Sequence, residues 1–207
     1  MLTQNTYDSL KNKYGNVASW TLWAPANPSS KKSNTELLDV FNDSKLLNKL
    51  NAKYVFVALN AANHTCKLDS QNSTNYNCWK NFHSAYRYQN DYKIRTATQG
   101  TRFEGSYITD IIKYHVETDS KKVKAAIRSN PGLLTDNFAY MQDELDALQA
   151  SNYGKKPILI ALGNDVYRLL MKHFHKKGYR VEKVKHYAAY FSDDYYKTHV
   201  QNTLAHI

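Results

Sequence analysis

Polar side chains able to do chemistry follow four separate apolar stretches of this sequence. They are an amide at Asn60, a carboxylate at Asp110, a glycine-led turn at Gly163 and an imidazole at His186. Amide, carboxylate and imidazole groups together can orient water, accept hydrogen bonds and donate them. Each residue alone has an ordinary explanation as a turn residue or a partly buried polar residue. Their joint placement after successive apolar stretches predicts that they share one site.

The apolar stretches that precede these residues are predicted to be strands of a parallel sheet. Residues 54–59 form a continuous run with β-branched and aromatic side chains, which is typical of a strand buried on both faces. In parallel sheets covered by helices, ligands bind beyond the carboxyl ends of the strands. We therefore expect the four polar positions to line one crevice. The other predicted strands cover residues 106–112, 157–162 and 179–187.

Helices are predicted between these strands. The first ends at Gly15, the usual stop residue, and the last begins at Ser192, which is followed by two aspartates that suit a helix N-terminus. Residues 34–50 carry an apolar stripe that fits either one helix or two short ones broken near Asn42 and Asp43. Strands alternating with helices predict a three-layer α/β/α fold with a central four-stranded parallel sheet. We expect one such domain over residues 1–207, with helices over residues 3–14, 119–129, 134–150, 164–177 and from 192 onward.

The chain is strongly basic, which bears on its partners. It has 28 lysines and arginines against 18 aspartates and glutamates, a formal net charge of +10. Such an excess attracts phosphate backbones, so DNA is an expected partner. A second interpretation remains open, because only six basic residues are arginine and lysine-heavy usage also follows from an AT-rich genome.

The sequence favours a cytoplasmic protein. No apolar run approaches the roughly 20 residues that cross a bilayer, and the N-terminus lacks the basic and apolar segments of a signal peptide. The two cysteines, Cys66 and Cys78, are too few for a disulfide framework. We therefore expect a cytoplasmic monomer with no membrane contact, no obligate protein partner and no cofactor.

Four motifs, taken in order over residues 53–196, resemble those of the uracil-DNA glycosylase superfamily. In that family a first strand ends in Gly-x-Asn-Pro-Gly or a variant, which here reads Ala58-Leu59-Asn60-Ala61-Ala62. In several branches of the family, a central strand reads Tyr-Ile-Thr-Asn, followed by two apolar residues and a lysine. The sequence from Tyr107 to Lys113 is similar to this pattern, with Asp110 in place of the asparagine. A strand ending Ala-Leu-Gly is matched by Ala161-Leu162-Gly163, and the final His-Pro-Ser by His186-Tyr187-Ala188.

The resemblance implies hydrolysis of the N-glycosidic bond of a flipped uracil or other deaminated or damaged base, as in base-excision DNA repair. By position, Asn60 would hold the attacking water, and because an amide is a weak base, only slow catalysis by positioning is expected. His186 would donate a hydrogen bond to the departing base, and Ala61 and Gly163 would also bind the substrate. Phe82, or alternatively Trp79, would stack on the base, and the other of the two would be a core residue.

Departures from the family pattern limit what is implied. The proline and glycine that should follow Asn60 are absent, and so are the proline and serine after His186. A tyrosine could supply a stacking wedge instead, or could pack the last helix; the candidates are Tyr187, Tyr190, Tyr195 and Tyr196. Asp110 stands where the family often has an asparagine that binds uracil bidentately. Because an ionised aspartate only accepts hydrogen bonds, we expect that uracil is not the best substrate or that base discrimination is relaxed.

Other site classes find little support. His173 and His175 lack the spacing of a helical zinc pair, His64, Cys66 and His83 form no metal-binding pattern, and we assign no metal. No glycine-rich phosphate loop is present. Two alternatives to an enzyme remain: a non-catalytic member of the fold that binds nucleic acid or a nucleotide, and an interaction protein that keeps only the fold.

Overall fold

A five-stranded, mostly parallel sheet forms the centre of an α/β fold. The computed structural model describes residues 2–23, 41–60, 79–83, 90–115, 117 and 119–207. The sheet order is β1-β3-β2-β4-β5, in which β1 pairs antiparallel with β3 and all other pairs are parallel. The strands are β1 Ala18–Trp20, β2 Asn51–Asn60, β3 Ser106–Ile112, β4 Ile158–Leu162 and β5 Val181–Val184.

The four predicted parallel strands are present, and a fifth strand extends the sheet. β3 has the predicted bounds, β2 is longer than predicted, β4 begins one residue later and β5 is shorter. The prediction of only four strands is wrong, because β1 forms an antiparallel edge beside β3. β1 has three residues, all buried, so it carries neither the length nor the polar–apolar alternation that marks a strand in a sequence.

Seven α-helices accompany the sheet in the part of the chain that the structure describes. At the start of α7, Ser192 Oγ accepts a hydrogen bond from the Tyr195 N–H at 3.2 Å, which confirms the predicted cap. At the end of α1, the Gly15 N–H bonds to the Lys11 carbonyl at 3.0 Å. The helices are α1 Gln4–Tyr14, α2 Leu46–Lys49, α3 Tyr92–Thr98, α4 Ser120–Ser129, α5 Pro131–Ser151, α6 Asn164–His173 and α7 Asp193–Thr203.

The structure decides between the two interpretations of residues 34–50, corrects the end of one predicted helix and adds a helix. One continuous helix over residues 34–50 is excluded, because the chain turns at 43–45, where Asp43 Oδ1 accepts the Lys45 N–H at 2.8 Å; residues 34–40 lie outside the described ranges. The predicted helix over 164–177 ends at His173 and continues as a 3₁₀ turn, His175–Lys177, closed by Gly178 at φ 85°. α3 was not predicted, since its sequence YKIRTAT lacks an apolar stripe.

Apolar side chains pack on both faces of the sheet. Along the central strands, consecutive residues alternate between two hydrophobic clusters: Val55 and Val57 face α1, α5 and α6, while Phe56 and Ala58 face α3 and α7. A sheet covered on both faces leaves its strand ends as the place where polar groups can meet a ligand. Across the described ranges, no helix combines the length and apolar character needed to span a membrane.

A buried polar network ties the end of β3 to α5. The Lys113 ammonium lies 2.6 Å from Glu144 Oε2 with both side chains almost fully buried, and it also donates to Thr109 Oγ1 at 2.8 Å. Tyr107 donates to Glu144 Oε1 at 2.9 Å. Because a buried charge is tolerated only when it is paired and hydrogen-bonded, this network fixes how β3 ends and where the following loop starts.

Candidate functional site

A cavity of about 510 Å³ opens at the carboxyl end of the sheet. Its volume falls in the range of about 300–1,000 Å³ typical of small-molecule sites. The strand ends of β2 and β4 and the loop after β5 supply most of its wall. The lining residues are Leu59, Asn60, Asn90, Glu117, Ser120, Leu162, Gly163, Asn164, Asp165, Val166, His186, Tyr187, Ala188 and Ala189. Three predicted site residues, Asn60, Gly163 and His186, therefore face the same cavity.

Asn60 is the last residue of β2 and is half-buried at the cavity wall. Its Nδ2 donates a hydrogen bond of 2.6 Å to the backbone carbonyl of Glu117, in the loop that follows β3. That bond fixes the plane of the amide relative to the sheet. Ala61, the next predicted site residue, lies outside the described residues.

His186 presents a neutral imidazole to the cavity. Burial lowers the pKa of His186 to about 4, so the ring is uncharged near neutral pH. Nδ1 accepts the Ala188 N–H at 3.1 Å. Since Nδ1 acts as an acceptor, the single proton of the neutral ring is on Nε2, which is then a hydrogen-bond donor.

Gly163 allows the end of β4 to approach His186 closely. Its φ of 98° is one that side-chain-bearing residues rarely adopt, and a Cβ added there would lie 3.4 Å from His186 Cβ. The Gly163 N–H also bonds to the Val184 carbonyl at 2.9 Å. Gly163 therefore acts through backbone geometry, holding the loop that carries His186 against β4.

The two predicted stacking residues lie on opposite faces of the sheet. Trp79 is 1% exposed and packs in the core, where its Nε1 donates to Tyr7 Oη at 2.9 Å and its ring meets Trp20 edge-on at 5.9 Å. Phe82 is 3% exposed and belongs to the cluster on the α3 and α7 face. Neither residue lines the cavity.

Asp110 is buried on the same face of the sheet as Phe82. It is 1% exposed, and its Oδ2 accepts a 2.8 Å hydrogen bond from Asn81 Nδ2. Oδ1 is buried with no hydrogen-bond partner among the described residues. Burial raises the pKa of Asp110 to about 7, against the opposing effects of the Asn81 hydrogen bond and the Lys113 charge.

Tyr187 contacts both groups of predicted residues. Its ring stacks on His186 with centroids 4.4 Å apart and meets Phe82 edge-on at 6.5 Å. Burial, followed by the charges of Asp91 and Asp110, raises the pKa of Tyr187 well above its ordinary value. The predicted residues are thus divided: Asn60, Gly163 and His186 line the cavity. Phe82 and Asp110 are buried outside that lining, and Phe82 contacts Tyr187.

Comparisons with family models, curated proteins and solved structures found no match. Function is therefore inferred from the cavity and the groups that line it.

Several lining residues were not predicted from the sequence. Glu117 lies in a loop and Asn90 just before α3, in segments with no periodic pattern, so their types gave no signal of a site. Asn164 and Asp165, by contrast, belong to the polar turn after β4 that the sequence predicts at this crevice, and they begin α6 there.

Two lysine side chains at the rim of the cavity contact residues that line it. Lys124 on α4 pairs with Asp165 at 2.6 Å, and Lys183 on β5 donates to Asn164 Oδ1 at 3.0 Å. Both partners line the cavity. Beyond the rim, the loop between β5 and α7 carries a fully exposed Tyr190.

Metal ligation finds no geometric support in the described part of the chain, where no three His, Cys, Asp or Glu side chains group closely enough to hold an ion. His83 is buried with Nε2 3.2 Å from the Trp20 carbonyl, and His173 stacks on Phe138 at 4.1 Å. His64, Cys66 and Cys78 lie outside the described residues.

Proposed function

We propose that this chain is a DNA glycosylase-like protein with a uracil-DNA glycosylase-type fold, and that it hydrolyses the N-glycosidic bond of a nucleotide flipped out of DNA. The observation that carries the proposal is that Asn60 and His186, from different strand ends, line one cavity of about 510 Å³. The motif resemblance along residues 53–196 supports the same assignment.

Asn60 orients the water that attacks the sugar. With Nδ2 donating to the Glu117 carbonyl, the amide is held in one orientation at the cavity wall. Water adds to C1′, the C1′–N bond breaks, and its electron pair leaves with the base. An amide is too weak a base to remove the proton of the water early, so the proton passes to solvent once the C1′–O bond has formed. Catalysis by positioning alone predicts a slow enzyme.

His186 stabilises the departing base. Its Nε2–H donates a hydrogen bond to a carbonyl oxygen of the base as negative charge develops there. A neutral donor keeps its proton throughout, which suits a ring whose pKa burial lowers to about 4. A donor placed in this way in a dry site is worth roughly 3–4 kcal/mol of transition-state stabilisation.

The basic rim would contact the DNA backbone. Lys124 and Lys183 are joined to cavity-lining side chains, and the chain carries a net charge of +10. Tyr190, fully exposed on the loop that borders the cavity, is placed to stack on bases next to the flipped nucleotide. Replacing both lysines by alanine should weaken DNA binding for all sequences and reduce its salt dependence by about one to two phosphate contacts.

The decisive experiment is incubation with oligonucleotides that carry uracil, hypoxanthine, xanthine or a thymine mismatch, followed by detection of abasic sites. Native protein is expected to form abasic sites with at least one base, and Asn60→Ala to lose the activity. Asn48→Ala, which removes an exposed amide on α2, is the matched control and should keep it. A native protein that forms no abasic sites with any of the four overturns the proposal.

A second candidate is a non-catalytic member of the fold that binds a nucleotide or DNA. It is favoured by one observation: Tyr187 contacts Phe82 at 6.5 Å, so a base could not stack on Phe82 without a rearrangement. This candidate predicts DNA binding that weakens steeply with salt, together with no base release from any substrate.

A further inference from the structure

Basic side chains gather at the amino-terminal edge of the sheet, at the end opposite the cavity. The segments that lead into β4 and β5 lie side by side there, because the two strands are parallel neighbours. The Lys156 ammonium donates to the Lys177 carbonyl and lies 5.0 Å from the centre of the Tyr179 ring, so the two segments are in direct contact. The exposed side chains at this edge, which we call the amino-edge surface, are Tyr153, Lys155, Lys156, Lys176, Lys177 and Arg180.

The amino-edge surface is separate from the candidate site. The cavity takes its lining from the carboxyl end of β4, at Leu162 and Gly163. β4 has five residues, so about 13 Å of strand divides that end from the amino-terminal edge. A ligand held in the cavity would therefore leave the amino-edge surface uncovered.

The positive charge of the amino-edge surface is largely uncompensated. Lys156 donates to a backbone carbonyl and Lys177 donates to Gln142 Oε1 at 3.0 Å, and these neutral acceptors leave both charges in place. Within the described ranges, none of the four lysines of the surface pairs with a carboxylate. Arg180 differs, since its Nε lies 2.8 Å from Glu182 Oε1. Neighbouring cations without carboxylate partners attract a polyanion, which releases bound counterions when it neutralises them.

Tyr153 places an aromatic ring in solvent beside these lysines. It is 84% exposed, and its backbone has a φ of 53°, which bulky residues rarely adopt. The turn is held on both sides, because the Gln149 carbonyl accepts the N–H groups of Asn152 and Gly154 at 3.0 Å each. Gln149 Nε2 also donates to the Gly154 carbonyl at 2.9 Å. The ring is thus presented to solvent by a well-bonded turn.

We propose that the amino-edge surface binds a single strand of nucleic acid, with the lysines along its phosphates and a base stacked on Tyr153. Sites that bind single strands without regard to sequence combine a positively charged track with exposed aromatic rings. In a duplex the bases already stack on one another, so Tyr153 favours an unpaired strand. An acidic protein or an anionic membrane would satisfy the lysines alone, whereas a nucleic acid also supplies a flat partner for the ring. The inference does not rest on the proposed glycosylase activity.

Alanine at position 153 tests the stacking contact. Fluorescence anisotropy would compare the binding of native protein and Tyr153→Ala to labelled oligothymidylate and to a hairpin duplex. Loss of a stacked base should weaken binding to the single strand about fivefold or more and leave duplex binding unchanged. Tyr140→Ala, which removes a 42% exposed tyrosine on α5, is the matched control and should bind both ligands like the native protein.

The phosphate contacts are tested by a pair of variants with equal net charge. Lys155→Gln combined with Lys176→Gln removes two cations of the surface, and Lys121→Gln combined with Lys197→Gln removes two exposed lysines of α4 and α7. Affinity for oligothymidylate is measured between 50 and 200 mM salt, a range set to resolve the salt dependence. The first pair should make the slope of log affinity against log salt shallower by about 1.4, or about 0.7 for each lost phosphate contact. The control pair should keep the native slope.

Lysine acetylation of the native protein gives a readout that needs no substitution. With bound oligothymidylate, Lys155 and Lys176 should be acetylated several-fold more slowly, while Lys121 and Lys197 react as in the free protein. Equal acetylation of both sets, equal salt slopes for the two variant pairs, or unchanged single-strand affinity of Tyr153→Ala overturns the proposal. Vesicles rich in phosphatidylserine and polyglutamate serve as competitors, and protection of Lys155 and Lys176 by either one but not by oligothymidylate would assign the surface to a membrane or an acidic protein instead.

Discussion

Replacing Asp110 by asparagine should stabilise the protein in a strongly pH-dependent way. Asp110 is 1% exposed, and burial raises its pKa from 3.8 to about 7. Between those two pH values the folded protein retains a proton that the unfolded chain has released. The free energy of unfolding therefore falls as pH rises through this range, and the loss is complete above about pH 7. Asn81 Nδ2 can still donate to the carbonyl oxygen of an asparagine at 110, so the substitution keeps the local hydrogen bond.

The difference between 3.8 and about 7 sets the size of the effect. At 1.36 kcal/mol for each pH unit, the ionised carboxylate costs the native fold about 4 kcal/mol above neutral pH. The stability of Asp110→Asn relative to the native protein should thus increase by about 4 kcal/mol between about pH 4 and about pH 8. This is a large part of the 5–15 kcal/mol that stabilises a typical domain.

Urea unfolding at a series of pH values measures this quantity, with fluorescence and circular dichroism as independent probes. Asp136→Asn on α5 removes an exposed carboxylate and is the matched control, for which the difference from native should stay within about 0.5 kcal/mol. If the advantage of Asp110→Asn is the same at both ends of the pH range, Asp110 ionises as an exposed carboxylate does, which contradicts the prediction.

Three further predictions concern the buried network, the cavity and a helix cap. Lys113→Met leaves Glu144 as an unpaired buried carboxylate and should lower the free energy of unfolding in urea by about 3–5 kcal/mol. Adding Glu144→Leu should recover most of that stability. A loss below about 1 kcal/mol for Lys113→Met would contradict a buried ion pair. The ¹⁵N resonances of His186 should titrate with a midpoint near pH 4, because burial disfavours the charged ring, and a midpoint near 6.5 would contradict its burial. Ser192→Ala removes the acceptor for the Tyr195 N–H and should cost about 1 kcal/mol, with Ser192→Asp retaining most of the stability.

The sequence is informative about the sheet because burial on two faces leaves a simple pattern. Five of the seven residues at 106–112 are aromatic or β-branched, and β3 has those bounds. Gly15 and Ser192 are also predictive, since helix ends depend on local backbone and side-chain hydrogen bonds. β1 was missed because its pairing with β3 joins residues about 90 positions apart, which no local pattern records.

The site was only partly predictable, because some of its contacts join segments that are far apart in the sequence. That Asn60, Gly163 and His186 meet follows from a general property of parallel sheets, whose carboxyl ends lie at one edge. Asp110 is not among the residues that line the cavity, and the loop after β5 brings Tyr187 against Phe82. Loop paths are set by tertiary packing, so the sequence predicted polar residues at this end of the sheet and not the packing of Tyr187 on His186 and Phe82.

The most direct test of a shared catalytic cavity is the single-turnover rate at which abasic sites form in DNA, measured for native protein, Asn60→Ala, His186→Ala and the double variant. If both side chains act on one substrate, each single variant should be slower by at least about tenfold, and the double variant should lose less than the product of the two losses. Native protein without measurable turnover, or single variants as fast as native, would contradict a catalytic site formed by Asn60 and His186.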